Sequence, residues 1–176
     1  MMRFGPLEHF TTKTDTPLGE LLLLRRPLKQ DPFGLPKING PEDWSLSLAG
    51  RQLAELPGFE LYAARGAGLR RGAVGGVEGA ELRIEVRGGL RRSHRGVEFR
   101  SGGRTLRFVR RGLARAELLE DGRTVARTGS GGWEHEETDP LRVLALAVYT
   151  WAALDRVNTN PVLRDVLPAL LGSLIS

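Results

Sequence analysis

The chain has 176 residues, 40% of them hydrophobic, a formal charge of +5, a pI near 10.4 and no cysteine. That length can bury a substantial core, and the lack of cysteine excludes disulfide frameworks, thiolate metal sites and a cysteine nucleophile, in keeping with a reducing compartment. The N-terminal MMRFGPLEHF holds no apolar run of the roughly 7 to 15 residues of a secretory signal, so a cytoplasmic location is expected, peripheral at the membrane if lipid is bound.

In chain order, Leu21 to Leu24, flanked by Pro17-Leu18-Gly19 and Pro27, predict a buried strand. Asp31 to Asp43 carries three prolines and two glycines in 13 residues and reads as a long loop. From Trp44 the alternation with Leu46 and Leu48 suits a strand, and Ser47 followed by Leu48, Leu53 and Leu56 suits a short helix stopped by Pro57-Gly58; a strand running into a short helix is expected. Phe59 to Arg65 predicts another strand. Gly66 to Gly79 holds six glycines in 14 residues; its GxGxxxG spacing at Gly66, Gly68 and Gly72 could present amides to a phosphate, but the later glycines cannot open the helix a dinucleotide site needs, so a flexible inter-strand loop is expected.

Beyond Glu81 the pattern has period two. Leu82, Ile84 and Val86 alternate with Arg83, Glu85 and Arg87; Val97 and Phe99, then Leu106 and Phe108, repeat the alternation between glycine turns. Asp121-Gly122 is a strong hairpin signal between Ala114–Leu119 and Thr124–Arg127. These elements predict an antiparallel meander.

A helix follows, read over 139–157. Asp139 can cap it and Pro140 suits its first turn. Its 12-residue run from Val143 to Leu154 is apolar apart from the hydroxyls of Tyr149 and Thr150, so no stripe is left to face water and the helix must be enclosed. The run is short of the roughly 20 residues of a membrane span. A meander curled around this helix would satisfy both, giving a mainly β domain over residues 1–157 in the form of a closed antiparallel barrel around a central hydrophobic helix. In residues 158–176, Val162, Leu163, Val166, Leu167, Leu170, Leu171 and Leu174 share one broad arc of an amphipathic C-terminal helix, suited to the domain's exterior or to a homodimer through residues 162–175. Insertion into a membrane interface would have only one cation, Arg164, on the polar face.

The arrangement resembles the superfamily of tubby C-terminal domains, phospholipid scramblases and plant LURP-one-related proteins. What carries the resemblance is the meander, then Gly122 with Val125 and Ala126, a strand bearing Trp133, Asp139 followed by Leu144 to Ala147, and Leu154-Asp155. It extends over Glu81 to Val157 and implies a closed barrel of about 12 strands around the helix. It also implies membrane association more than catalysis, since tubby domains bind phosphoinositides through basic surface residues and scramblases act on lipids. This chain lacks the cysteine-rich acylation segment of scramblases and shows no calcium-loop pattern, and fold likeness alone does not transfer function.

Charge is segregated. Glu81 to Arg115 holds 11 arginines against three glutamates, and Ala116 to Arg142 seven acids against three arginines. Arg91, Arg92, Arg95, Arg107, Arg110 and Arg111, with Arg100 and Arg104, fall on neighbouring hairpins, where guanidinium forks could hold an anionic lipid headgroup. A solvated outer face is the plainer account, because 23 of 26 basic residues are arginine, as GC-rich coding alone produces. Nucleic acid is less favoured, since Phe99 and Phe108 are in phase with buried positions and leave no stacking aromatics on the basic face. Glu134, His135, Glu136 and Glu137 are the one dense group of metal-ligand types, but a strand would split them between two faces; negative charge before a helix N-terminus explains them. No nucleophile and base are paired and no cofactor is expected. The functional expectation is a non-catalytic, peripheral anionic-lipid-binding or membrane-sensing module, the alternative a structural or protein-interaction domain assembling through the C-terminal helix.

Overall fold

Short polar turns between half-apolar segments dictate the architecture. In the computed structural model, which describes residues 1–29, 32–33, 40–59, 73–87, 96–111 and 115–154, the strands are β1 (Thr11–Thr16), β2 (Gly19–Pro27), β3 (Glu42–Leu48), β4 (Arg51–Phe59), β5 (Ala73–Val77), β6 (Ala80–Arg87), β7 (Gly96–Ser101), β8 (Arg104–Arg110), β9 (Ala116–Glu120), β10 (Arg123–Gly129) and β11 (Gly132–His135). The helix α1 (Pro140–Trp151) follows. Each strand pairs antiparallel with the next, giving one sheet of 11 strands in sequence order. The tightest hairpins share one device. Ala49-Gly50, Glu78-Gly79, Gly102-Gly103 and Asp121-Gly122 all have positive φ at both positions, the conformation of a two-residue turn that matches strand twist.

Alternation then sorts the two faces. Leu21 and Leu23, Trp44 and Leu46, Leu82 and Ile84, Val97 and Phe99, and Leu106 and Phe108 are buried, while alternate positions such as Leu24, Ser45, Arg83, Arg100 and Arg107 are half-buried or exposed. Fully burying a side chain of this size stabilises by about 1.5–3 kcal/mol before chain entropy is set against it. α1 completes the core. Asp139 caps it by accepting from the Arg142 amide, Pro140 occupies its first turn, and every residue from Val143 to Tyr149 is buried. Its half-buried Thr150 accepts from the Trp133 indole at 3.0 Å and donates to the Leu146 carbonyl at 2.8 Å. Tyr149 stacks on Phe108 with centroids 3.9 Å apart, and Phe99 and Trp133 meet Phe108 edge-on.

Three expectations are corrected. The sheet is open, not a closed barrel of about 12 strands around a central helix: among the described residues β1 and β11 are terminal strands that do not pair with each other. The physical reason lies in residues 1–10. Met2 and Trp133 exchange both backbone hydrogen bonds, but this is an isolated bridge. Pro6 has no N–H with which to extend a ladder, and the segment is fastened to β1 by side chains instead, Thr14 Oγ1 donating to the Arg3 carbonyl at 2.7 Å and the Glu8 amide to Thr12 Oγ1 at 2.9 Å. The apolar helix packs on the open sheet, with Phe4 edge-on to Trp151 near its C-terminal end, and no closed ring of strands surrounds it among the described residues. Second, no helix begins at Ser47; β3 turns at Ala49-Gly50 into β4, whose apolar spacing is disturbed by register shifts in the β3–β4 pairing. Third, Ala73–Val77 is strand β5, not loop, and Gly75 is required there because a Cβ would lie 2.2 Å from the Glu55 carbonyl oxygen. The expected glycine loop at 66–72, the strand beyond Phe59 and the tail helix lie outside the described residues.

Candidate functional site

Of the six arginines expected to hold an anion, Arg91, Arg92 and Arg95 lie outside the described residues. The other three lie along and just beyond β8. Register places Glu85, Glu98 and Arg107 side by side across β6, β7 and β8. Glu98 is buried on this face, with Arg100 at 2.5 Å, Arg87 at 3.2 Å and Arg107 at 3.9 Å. Gly96 leaves the space that Arg107 uses, since a Cβ there would sit 3.1 Å from Arg107 Nε. Arg111 pairs with Glu117 at 2.8 Å, and Arg110 is half-buried opposite Ala116. The basic face therefore carries its own counterions, and an incoming anion would compete with Glu98 and Glu117 for Arg107 and Arg111.

The acids after β8 are engaged in the same way. Arg104 donates to Glu120 at 2.7 Å and to Asp139 at 2.8 Å, and Arg142 donates to Glu120 at 2.6 Å, which ties β8 and β9 to the first turn of α1. Hydrogen bonds that Arg104 donates to Asp139 and then to Glu120 hold its guanidinium above its usual range. The Glu120 carboxyl is held below the usual carboxylate range by the Arg104 hydrogen bond, against burial and with help from Arg142. For Asp139 burial pushes upward, but Arg104 and the Arg142 amide outweigh it and the net direction is down. This network fixes a helix end and leaves no carboxylate poised as an acid or base.

The Glu134 to Glu137 stretch divides as its alternation requires. Glu134 pairs with Arg127 and Glu136 with Arg123, while the ring of His135 turns to Thr138, with Nδ1 2.9 Å from its hydroxyl. Burial, with a smaller contribution from the N-terminal ammonium, lowers the His135 pKa. Among the described residues no group of three or more histidines, cysteines or acids could hold a metal ion.

What the charged face lacks, the sheet's first edge supplies. In β1 the burial alternates, with Thr12, Thr14 and Thr16 turned inward and Thr11, Lys13 and Asp15 exposed. The Arg25 amide donates to the Phe10 carbonyl at 2.8 Å, which sets the ladder phase: Thr12, Thr14 and Thr16 exchange hydrogen bonds with β2, and the amides and carbonyls of Thr11, Lys13 and Asp15 point away from it. Among the described residues β1 has only β2 as a strand neighbour. Exposed apolar side chains flank its two ends, Phe10 at 55% and Leu24 at 48% at its start and Leu18 at 36% in the turn that follows it, with Leu28 just beyond β2. The sequence reading missed this strand because its inward positions are threonines that bond the N-terminal segment, so the alternation of Leu and Arg that marks β6 to β8 is absent. The available signal was the Thr-x-Thr-x-Thr repeat ahead of Pro17-Leu18-Gly19. Scans against models of protein families, curated proteins and solved structures find no match to this chain. No helix among the described residues is long and apolar enough to cross a membrane.

Proposed function

We propose that the chain is a non-catalytic protein-interaction module that accepts an extended segment of a partner along β1. The observation that carries this reading is the side of β1 away from β2, which has no strand partner among the described residues: three residues with outward amides and carbonyls, with exposed Phe10 and Leu24 at one end and Leu18 at the other. An added strand draws affinity from main-chain hydrogen bonds and selectivity from side chains at alternate positions. The described basic residues do not rival it, since Arg107 and Arg111 already face carboxylates. Anionic-lipid binding, which the tubby and scramblase likeness implied, would rest chiefly on Arg91, Arg92 and Arg95.

The test uses fluorescein-labelled octapeptides that alternate valine or threonine with aspartate or lysine, a proline-interrupted octapeptide as control, and phosphatidylserine vesicles. Lys13→Pro removes one outward amide without touching the β1–β2 ladder, because Pro is tolerated where the N–H faces away from the sheet. Expected is saturable binding of the alternating peptides to the wild-type chain, lost in Lys13→Pro, and vesicle binding no stronger than to neutral lipid. Peptide binding that is absent, or equal in the two proteins, overturns the proposal, and vesicle binding that survives Lys13→Pro would move the function to the arginine face.

A further inference from the structure

Resting on the strand-addition reading, we propose that the extended segment β1 accepts is β1 of a second copy of this chain, in an isologous dimer centred on Thr14. A two-fold axis makes the same strand pair with itself, antiparallel. Only residues with outward backbone groups can exchange hydrogen bonds there, so Thr11, Lys13 and Asp15 must face positions of the same parity. Charge then selects the register. An axis through Lys13 sets lysine against lysine, an axis through Asp15 sets aspartate against aspartate, and an axis through Thr14 sets Lys13 against Asp15 of the other copy twice over. Like charges directly opposite destabilise a strand pair, opposite charges and Thr–Thr pairs stabilise it.

A second observation falls on the same register. With Thr14 at the axis, the segment of Phe10 meets the segment of Leu18 of the second copy at each end of the paired strands, and both side chains are exposed in the single chain, 55% and 36%. Lys13 is free to serve this contact. Among the described residues its one ion pair, with Glu20, is 3.5 Å long between side chains that are 59% and 52% exposed, the kind of surface pair that contributes little. A lysine on an edge strand ordinarily discourages pairing with other chains. Placed two residues from an aspartate it disfavours the registers centred on Lys13 and on Asp15, and the register centred on Thr14 is the one that sets lysine against aspartate at both symmetric positions. Charge variants in β1 leave the sequence of residues 162–175 unchanged.

The experiment is sedimentation velocity of the full chain over a concentration series, with Lys13→Asp, Asp15→Lys, the double variant Lys13→Asp/Asp15→Lys, and Lys13→Pro. Expected is a reversible dimer whose dissociation constant rises about tenfold or more in each single reversal, since two symmetric contacts change sign in each. The double reversal restores it to within about threefold, which also shows that the single variants did not fail through misfolding, and Lys13→Pro abolishes it. A chain that is monomeric at every concentration, a dimer indifferent to Lys13→Pro, or a double variant as weak as the singles overturns the proposal. Because octapeptide binding is measured at dilution, its persistence in a strictly monomeric chain would refute the homodimer and leave strand addition standing.

Discussion

Asp139 is where one substitution separates three contributions. Its Oδ1 caps α1 by accepting from the Arg142 amide at 3.1 Å, and its Oδ2 takes Arg104 at 2.8 Å and Arg142 at 3.1 Å. Loss of an N-cap side chain costs about 1 kcal/mol. The Arg104 pair is partly exposed, 39% and 29% for the two side chains, so its charge-assisted hydrogen bond is discounted from the usual range to about 1 kcal/mol. Asp139→Ala should therefore lose about 2 kcal/mol, and Asp139→Asn, which still caps, about 1 kcal/mol. For a chain of this size the alanine variant should melt about 4–8 °C lower. Urea unfolding followed by tryptophan fluorescence at pH 7 measures both, and a double-mutant cycle with Arg104→Met isolates the pair: in that background the cost of Asp139→Asn should fall close to zero. Equal losses for the alanine and asparagine variants, or a cost unchanged by Arg104→Met, would refute this division of roles.

Phe108→Ala should destabilise by about 3–5 kcal/mol, because its ring is fully buried against Phe99, Trp133 and Tyr149; the midpoint of urea unfolding reads it, and a loss below about 1 kcal/mol would mean that α1 does not pack on β8 as described. Glu42→Gln should cost about 3–5 kcal/mol, since Glu42 is 1% exposed, binds Arg25 through both oxygens at 2.8 Å and accepts from the Trp44 indole at 3.1 Å, leaving Arg25 buried without its counter-charge. Stability should fall with acid in two stages. His135 has a depressed folded pKa, so its contribution is present above its ordinary value of about 6.5 and is lost as pH drops below that; Glu120 and Asp139, also depressed, contribute above the ordinary carboxylate range and lose that contribution as pH falls through it. His135→Gln should flatten the first stage alone in a series of urea midpoints from pH 7 to pH 3.

Much of this fold was legible in the chain. The alternation in Leu82–Val86, Val97–Phe99 and Leu106–Phe108 gave their strands, Asp121-Gly122 its hairpin, and Asp139-Pro140 the start of α1, because in each case the local signal and the tertiary demand agree. Where they diverged, the reading failed for identifiable reasons. Leu53, Ala54 and Leu56 have helical spacing because β4 pairs irregularly, not because it coils. Gly75 looked like loop punctuation but is where β5 passes too close to the Glu55 carbonyl for any side chain. An all-apolar helix required burial, and burial was equated with closure; a sheet whose ends are spanned by an N-terminal segment buries the helix while, among the described residues, β1 has no second strand neighbour. The arginines were visible as a cluster, but which carboxylates they meet across strands was not: register alone brings Glu98 beside Arg107 and Glu85.

The most direct test of the account is residue-resolved amide exchange in β1 at a concentration where the chain is monomeric. Thr12, Thr14 and Thr16, bonded to β2, should exchange slowly, while Thr11, Lys13 and Asp15 exchange fast and gain protection as concentration rises. Uniform protection across all six amides at dilution would show that the edge is already paired, and the interaction site would not exist.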